Sequence, residues 1–90
     1  MQLKNFMEEL VLQQLDGMIA KQESVCGCSR CRLDIAALAL NYLSPRYIVT
    51  AEGETYTRIQ ALEQQFAVDV ISALVKAITI VQARPRHGAE

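Results

Sequence analysis

The chain has 90 residues, 51% of them hydrophobic, no tryptophan and a formal net charge of −1. That length carries one domain, read here as residues 1–90, with a small core that gains from a metal staple or a partner. The charge disfavours a DNA-binding accessory, and the acids of Met1-Gln-Leu-Lys-Asn-Phe-Met-Glu-Glu-Leu10 stand where a signal peptide would be apolar.

The first element runs from about Leu3 to Lys21. Its apolar residues Leu3, Phe6, Met7, Leu10, Val11, Leu15, Met18 and Ile19 recur in three- and four-residue steps, the period of an amphipathic helix. Lys4 and Glu8 stand one turn apart and can pair. Gly17 is a weak point inside the helix.

All three cysteines then fall within six residues, Cys26-Gly-Cys28-Ser-Arg-Cys31. Thiolates clustered on a tight turn that feeds a helix suit zinc, whose sulfur ligands sit about 2.3 Å from the metal. Gly27 lets the backbone turn without a Cβ clash. Cys31 falls on the first helical turn, where the partial positive charge favours a thiolate. A closed zinc site takes four ligands, so the fourth is open: His87, Glu23, Asp34, water or a group from another chain. A Cys26–Cys28 disulfide and three plain thiols are the rival readings, and the odd count argues against a secreted disulfide framework.

A second helix is predicted from about Cys31 to Leu43. After Asp34 it is almost wholly apolar through Leu40, a pattern that implies burial on every side, and its alanines allow close approach of a neighbour. Pro45 ends it. The β-branched run Arg46–Thr50, followed by Gly53 and Thr55–Thr57, predicts a short extended piece, either a hairpin turning at Gly53 or an irregular loop.

The last and longest helix is predicted from about Thr57 or Arg58 to Gln82. One apolar stripe is Ile59, Leu62, Phe66, Val70, Leu74, Ala77, Ile78 and Val81; a second is Val68, Ile71 and Val75. The first serves the core. The second needs another surface: the expected supplier is a second copy in a two-fold homodimer, the plainer alternative being the first helix wrapped around to cover it. Asp69, Ser72 and Lys76 interrupt this apolar stretch and argue against a transmembrane span, so the chain reads as cytoplasmic. The tail after Ala83 is polar and is expected to fray. The fold class is therefore mainly α: about three helices, a cysteine knuckle between the first two, and a short extended segment before the last.

Catalysis has little support. The one histidine, His87, is in the tail, no glycine-rich phosphate loop is present, and no triad spacing stands out, which points away from an enzyme. Ligand recognition has more. Arg30, Arg32 and Asp34 surround the start of the second helix, and Arg46 and Tyr47 follow its end. Arginine grips phosphate and guanine edges, aspartate accepts from guanine, and tyrosine offers a stacking face. The plainer alternative is an Arg30–Asp34 surface pair with Arg46 capping the helix C-terminus.

The strings Met7-Glu-Glu-Leu-Val11, Cys26-x-Cys28-x-x-Cys31-Arg-Leu-Asp-Ile-Ala-Ala-Leu-Ala-Leu-Asn41, Leu43-x-Pro45-Arg-Tyr-Ile-Val-Thr50 and Gly53-Glu54 resemble the late competence development protein ComFB family over about Asn5 to Val75. The resemblance implies a small, mainly helical, bacterial cytoplasmic homodimer with a cysteine-bound zinc, to which Cys26, Cys28 and Cys31 correspond. The family pattern uses four cysteines, and this chain departs from it with three. The resemblance also implies a receptor for cyclic dinucleotides, chiefly cyclic di-GMP, that relays the signal to a protein partner. That ligand is two-fold symmetric, and a two-fold dimer presents every arginine twice. The competing expectation is a zinc-stapled interaction module, linked to competence or motility, with no small ligand.

Overall fold

The computed structural model describes residues 2–60 and 64–85. In chain order the elements are β1 (Lys4–Asn5), α1 (Phe6–Lys21), α2 (Ser29–Asn41), β2 (Tyr47–Ile48), α3 (Ala51–Gln60) and α4 (Gln64–Ala83). Three helices form the body. α2 packs most extensively on α4, and α1 closes over both. The core joins Met7, Val11 and Leu15 of α1 to Ile35, Ala36 and Ala39 of α2 and Val70, Ala73, Leu74 and Ala77 of α4. Four of these ten are alanines, which lets the helix axes approach closely, as the alanine-rich sequence of α2 foreshadows.

α1 begins later than its apolar period suggests because Asn5 is an N-cap. Its Oδ1 accepts from the Met7 N–H at 3.1 Å. The same oxygen accepts from the Arg46 N–H at 2.9 Å, and the Phe6 N–H donates to the Arg46 carbonyl at 2.7 Å. β1 pairs antiparallel with β2, Lys4 opposite Ile48 and Asn5 opposite Tyr47. One side chain thus starts a helix and fixes the segment that carries Arg46. Asn5→Ala removes both bonds and is expected to lower stability by about 2 kcal/mol, most of it the lost cap. Urea unfolding measures this, and an unchanged midpoint would refute the double role. Lys4 lies outside the helix and pairs with Glu54 (3.5 Å) and Glu9 (4.0 Å), in place of the Glu8 expected from helical spacing.

The segment expected to be a hairpin or loop is corrected after Ile48. Ala51–Gln60 is a helix, and β2 finds its strand partner at the N-terminus. No glycine among the described residues has a positive φ, so Gly53 makes no hairpin turn of the tight kind. It sits in the first turn of α3, where its N–H donates to Thr50 Oγ1 at 3.0 Å. A threonine cap followed by Glu52 and Glu54 is a helix start. The helix expected from Thr57 or Arg58 therefore starts earlier, at Ala51, and its described residues are those of α3 and α4. Leu62 of its expected stripe lies outside the described residues, as do His87 and the end of the tail.

In the single chain α2 is not buried on every side. Ile35, Ala36 and Ala39 are buried, but Leu33 is 57% exposed and Ala37 is exposed. On α4, Val68, Ile71 and Val75 face solvent in the single chain, opposite the buried Val70, Ala73, Leu74 and Ala77. The Gln65–Ala83 stretch, with mean hydropathy 1.8, is long and apolar enough to cross a membrane by length and composition, so the interrupting residues do not by themselves exclude a span. Here its inner face is part of the shared core.

Candidate metal centre and cleft

The three cysteines converge. Their sulfurs all lie within 4.8 Å of one another, with Cys31 fully buried and Cys26 and Cys28 partly so. No disulfide joins them. Cys28 is the N-cap of α2: its Sγ accepts from the Cys31 N–H at 3.4 Å, a place usually held by Ser, Thr, Asp or Asn. Gly27 is needed for close packing, not for a left-handed turn, since a Cβ there would stand 2.9 Å from Ile19 Cγ2. The end of α1 and the start of α2 are thereby held together around the sulfurs.

The Cys31 thiol is the opposite of what the helix start suggests. Burial pushes its pKa up to about 12, and hydrogen bonding with Cys28 and Cys26 adds to the rise. Desolvation outweighs a helix-terminus effect of about 0.3–1 kcal/mol. The cluster still fits a metal. Two sulfurs on a tetrahedral zinc stand about 3.8 Å apart, so these three need only a small inward movement to occupy three of four positions. A metal supplies the charge that displaces the thiol protons. Among the described residues no carboxylate or imidazole joins the trio. Of the expected fourth ligands, Asp34 accepts from Arg30 Nε at 3.3 Å, Glu23 is exposed, and His87 lies outside the described residues.

The arginines at this end of α2 are engaged in ion pairs. Arg30 bridges to Asp34 one turn on, as its spacing allows. Arg32 makes a two-pronged pair with Asp16 of α1, Nε–Oδ1 2.7 Å and Nη2–Oδ2 3.0 Å. Hydrogen bonding from Arg32 holds the Asp16 carboxyl below its ordinary 3.8. The stability this pair brings is therefore complete above that pH and is lost as pH falls through the lowered value.

A second site lies beyond the other end of α2, about 20 Å away along a 13-residue helix. It is a cleft of about 460 Å³, within the usual range for small-molecule sites. Met7, Leu43, Val70 and Ala73 give it an apolar floor; Ser44, Arg46, Asp69, Ser72 and Lys76 give it polar groups. Two cations lie on aromatic faces there. The Arg46 guanidinium is 5.0 Å from the Phe66 ring centre, and Lys76 Nζ is 4.6 Å from that of Tyr42. Arg46 Nη1 also donates to Gln60 Oε1 at 2.9 Å, so its guanidinium ties α3 to the cleft.

Of the five expected ligand residues, the cleft takes in Arg46 alone. Tyr47 is exposed on β2, and Arg30, Arg32 and Asp34 stay beside the cysteines. Asp69, Ser72 and Lys76 were visible in the sequence only as interruptions of an apolar helix. Their spacing of three and four was the missed signal, because it sets all three on one helical face.

The family model for late competence development protein ComFB matches residues 4–85. The chain belongs to the ComFB family. Competence protein ComFB of Bacillus subtilis (strain 168) is 26% identical over 83 residues, covering 92% of this chain and 85% of that protein. A solved structure of the late competence protein ComFB from Bacillus subtilis superposes with a TM-score of 0.75 at 26% identity, covering 99% of this chain and all of that one. The small helical architecture of this chain is thus shared with a ComFB structure, and its cysteine knuckle is set between the first two helices.

Proposed function

We propose that this ComFB-family chain is a cytoplasmic, homodimeric receptor that takes a cyclic dinucleotide, cyclic di-GMP first, in the cleft around Arg46, and relays its occupancy to a protein partner. The carrying observation is the pairing of Arg46 and Lys76, each laid on an aromatic ring, within one apolar-floored cleft. Phosphates find two cations there. A base finds planar faces, and Asp69 is an acceptor for the amino and imino edge of guanine. These groups hold and orient a ligand; the reading is of a binding protein, not an enzyme. The competence role named for its relatives would be served through the partner.

Calorimetric titration with cyclic di-GMP, with cyclic di-AMP and GTP as controls, tests this. Saturable selective binding is expected, and its stoichiometry separates one ligand per dimer from one per subunit. Arg46→Ala and Lys76→Ala should each weaken it by about 10- to 100-fold, the size of one charged hydrogen bond. Arg30→Ala should leave it unchanged; a loss there would move the site to the other end of α2. No binding to folded wild type would overturn the receptor. It would leave the zinc-stapled interaction module, which the sulfur cluster and the exposed face of α4 favour.

A further inference from the structure

α3 is attached differently from the other helices. Of its ten residues only Thr57 is buried, while Tyr56 and Ile59 are exposed. The bonds that fasten it are mostly charged. Arg58 Nη2 reaches Glu9 of α1 at 3.0 Å, and its guanidinium, also paired within α3 to Glu54 at 2.8 Å, lies 5.0 Å from the centre of the Phe6 ring. Lys4 reaches Glu54 at 3.5 Å. At the C-terminal end, Gln60 accepts from Arg46. α1, α2 and α4 share a continuous apolar core, which salt does not screen. The pairs that hold α3 are partly exposed, and salt weakens them.

We propose that α3 is a releasable latch, and that Arg46 is the residue through which an anionic ligand in the cleft opens it. Arg46 lines the cleft and fastens α3 with the same guanidinium. A phosphate competes for it against a neutral carboxamide, and a charge-assisted bond to phosphate is the stronger of the two. Withdrawing Arg46 from Gln60 removes a fastening at that end of the helix that is tied to the cleft. The remaining pairs then hold a helix with little buried surface, the kind of element that opens locally before the body does. Release uncovers the Phe6 ring, now 2% exposed beneath Arg58. Occupancy of the cleft is thereby read out on another face of the molecule. The ligand half of this proposal rests on the cleft being the receptor site; the salt-held latch does not.

Amide hydrogen exchange on the full chain tests both halves. In 0.05 M salt, peptides from α3 should exchange measurably faster than those of α1 and α4. In 0.5 M salt the α3 rate should rise about five- to tenfold with the other helices unchanged. Glu9→Gln should raise the α3 rate at low salt and blunt the salt response. Gln60→Ala should loosen α3 without any ligand and should tighten cyclic di-GMP binding, because Arg46 is no longer shared. Saturating cyclic di-GMP should loosen α3 in wild type and add nothing in Gln60→Ala. An α3 as protected as α1 and indifferent to salt overturns the latch. Ligand that binds by calorimetry but leaves α3 exchange unchanged overturns the role of Arg46 and spares the receptor. Absence of binding removes the ligand half together with the receptor, and the salt and Gln60→Ala responses then decide the latch alone.

Discussion

Cys28→Ser is expected to melt about 12–24 °C below wild type, a loss of about 3 kcal/mol. The substitution separates two roles that Cys28 combines. As N-cap of α2 its sulfur accepts from the Cys31 N–H, and a serine hydroxyl fills that place at least as well. As one of three converging thiols it supplies a metal ligand, which serine does poorly. Zinc at a hundred- to a thousandfold above its dissociation constant stabilises the folded chain by about 2.7–4.1 kcal/mol. Losing one of three sulfurs forfeits most of that.

Thermal melts with and without a chelator, alongside metal analysis of the purified protein, carry the test. Chelated wild type should melt with Cys28→Ser, and the chelator should not move the variant. If wild type holds no metal and melts with Cys28→Ser whatever the chelator, the trio is not a metal centre. The buried Cys31 would then be a core residue whose thiol is kept protonated by desolvation.

Val75→Asp is expected to break the proposed homodimer into monomers without unfolding the chain. Val75 is 51% exposed in the single chain and stands with Val68 and Ile71 on the face of α4 opposite the core. A carboxylate there costs the isolated fold little. Buried against a second copy, it costs about 3 kcal/mol or more, over a hundredfold in the dimer dissociation constant. Sedimentation at micromolar concentration should show dimeric wild type and monomeric variant, with matching far-ultraviolet spectra. Wild-type melting should rise with protein concentration and the variant's should not. A variant that stays dimeric would place the contact elsewhere, the exposed Leu33 of α2 being the next surface to change.

Local chemistry made much of this protein legible in its sequence. The apolar periods of α1 and the body of α4, the stop at Pro45 and the crowding of Cys26, Cys28 and Cys31 each involve residues a few positions apart, where spacing alone sets which side chains share a face. The unburied stripe Val68–Ile71–Val75 was visible for the same reason. The start of α3 was misread: Thr50 followed by Glu52 and Glu54 signals a helix, but the β-branched residues just before it favoured an extended segment.

Tertiary structure decided what depends on partners distant in the chain. Sequence could not pair Arg32 with Asp16, seat Asn5 under Arg46, or fasten Arg58 to Glu9 across 49 positions. It could not set the interruptions Asp69, Ser72 and Lys76 beside Arg46 in one cleft. Nor could it show that Cys31 is buried deeply enough to keep its proton. The physical reason is common to all of these. Helical period follows from backbone geometry within a few residues, whereas charge pairing, desolvation and cleft shape depend on which faces the packed core brings together.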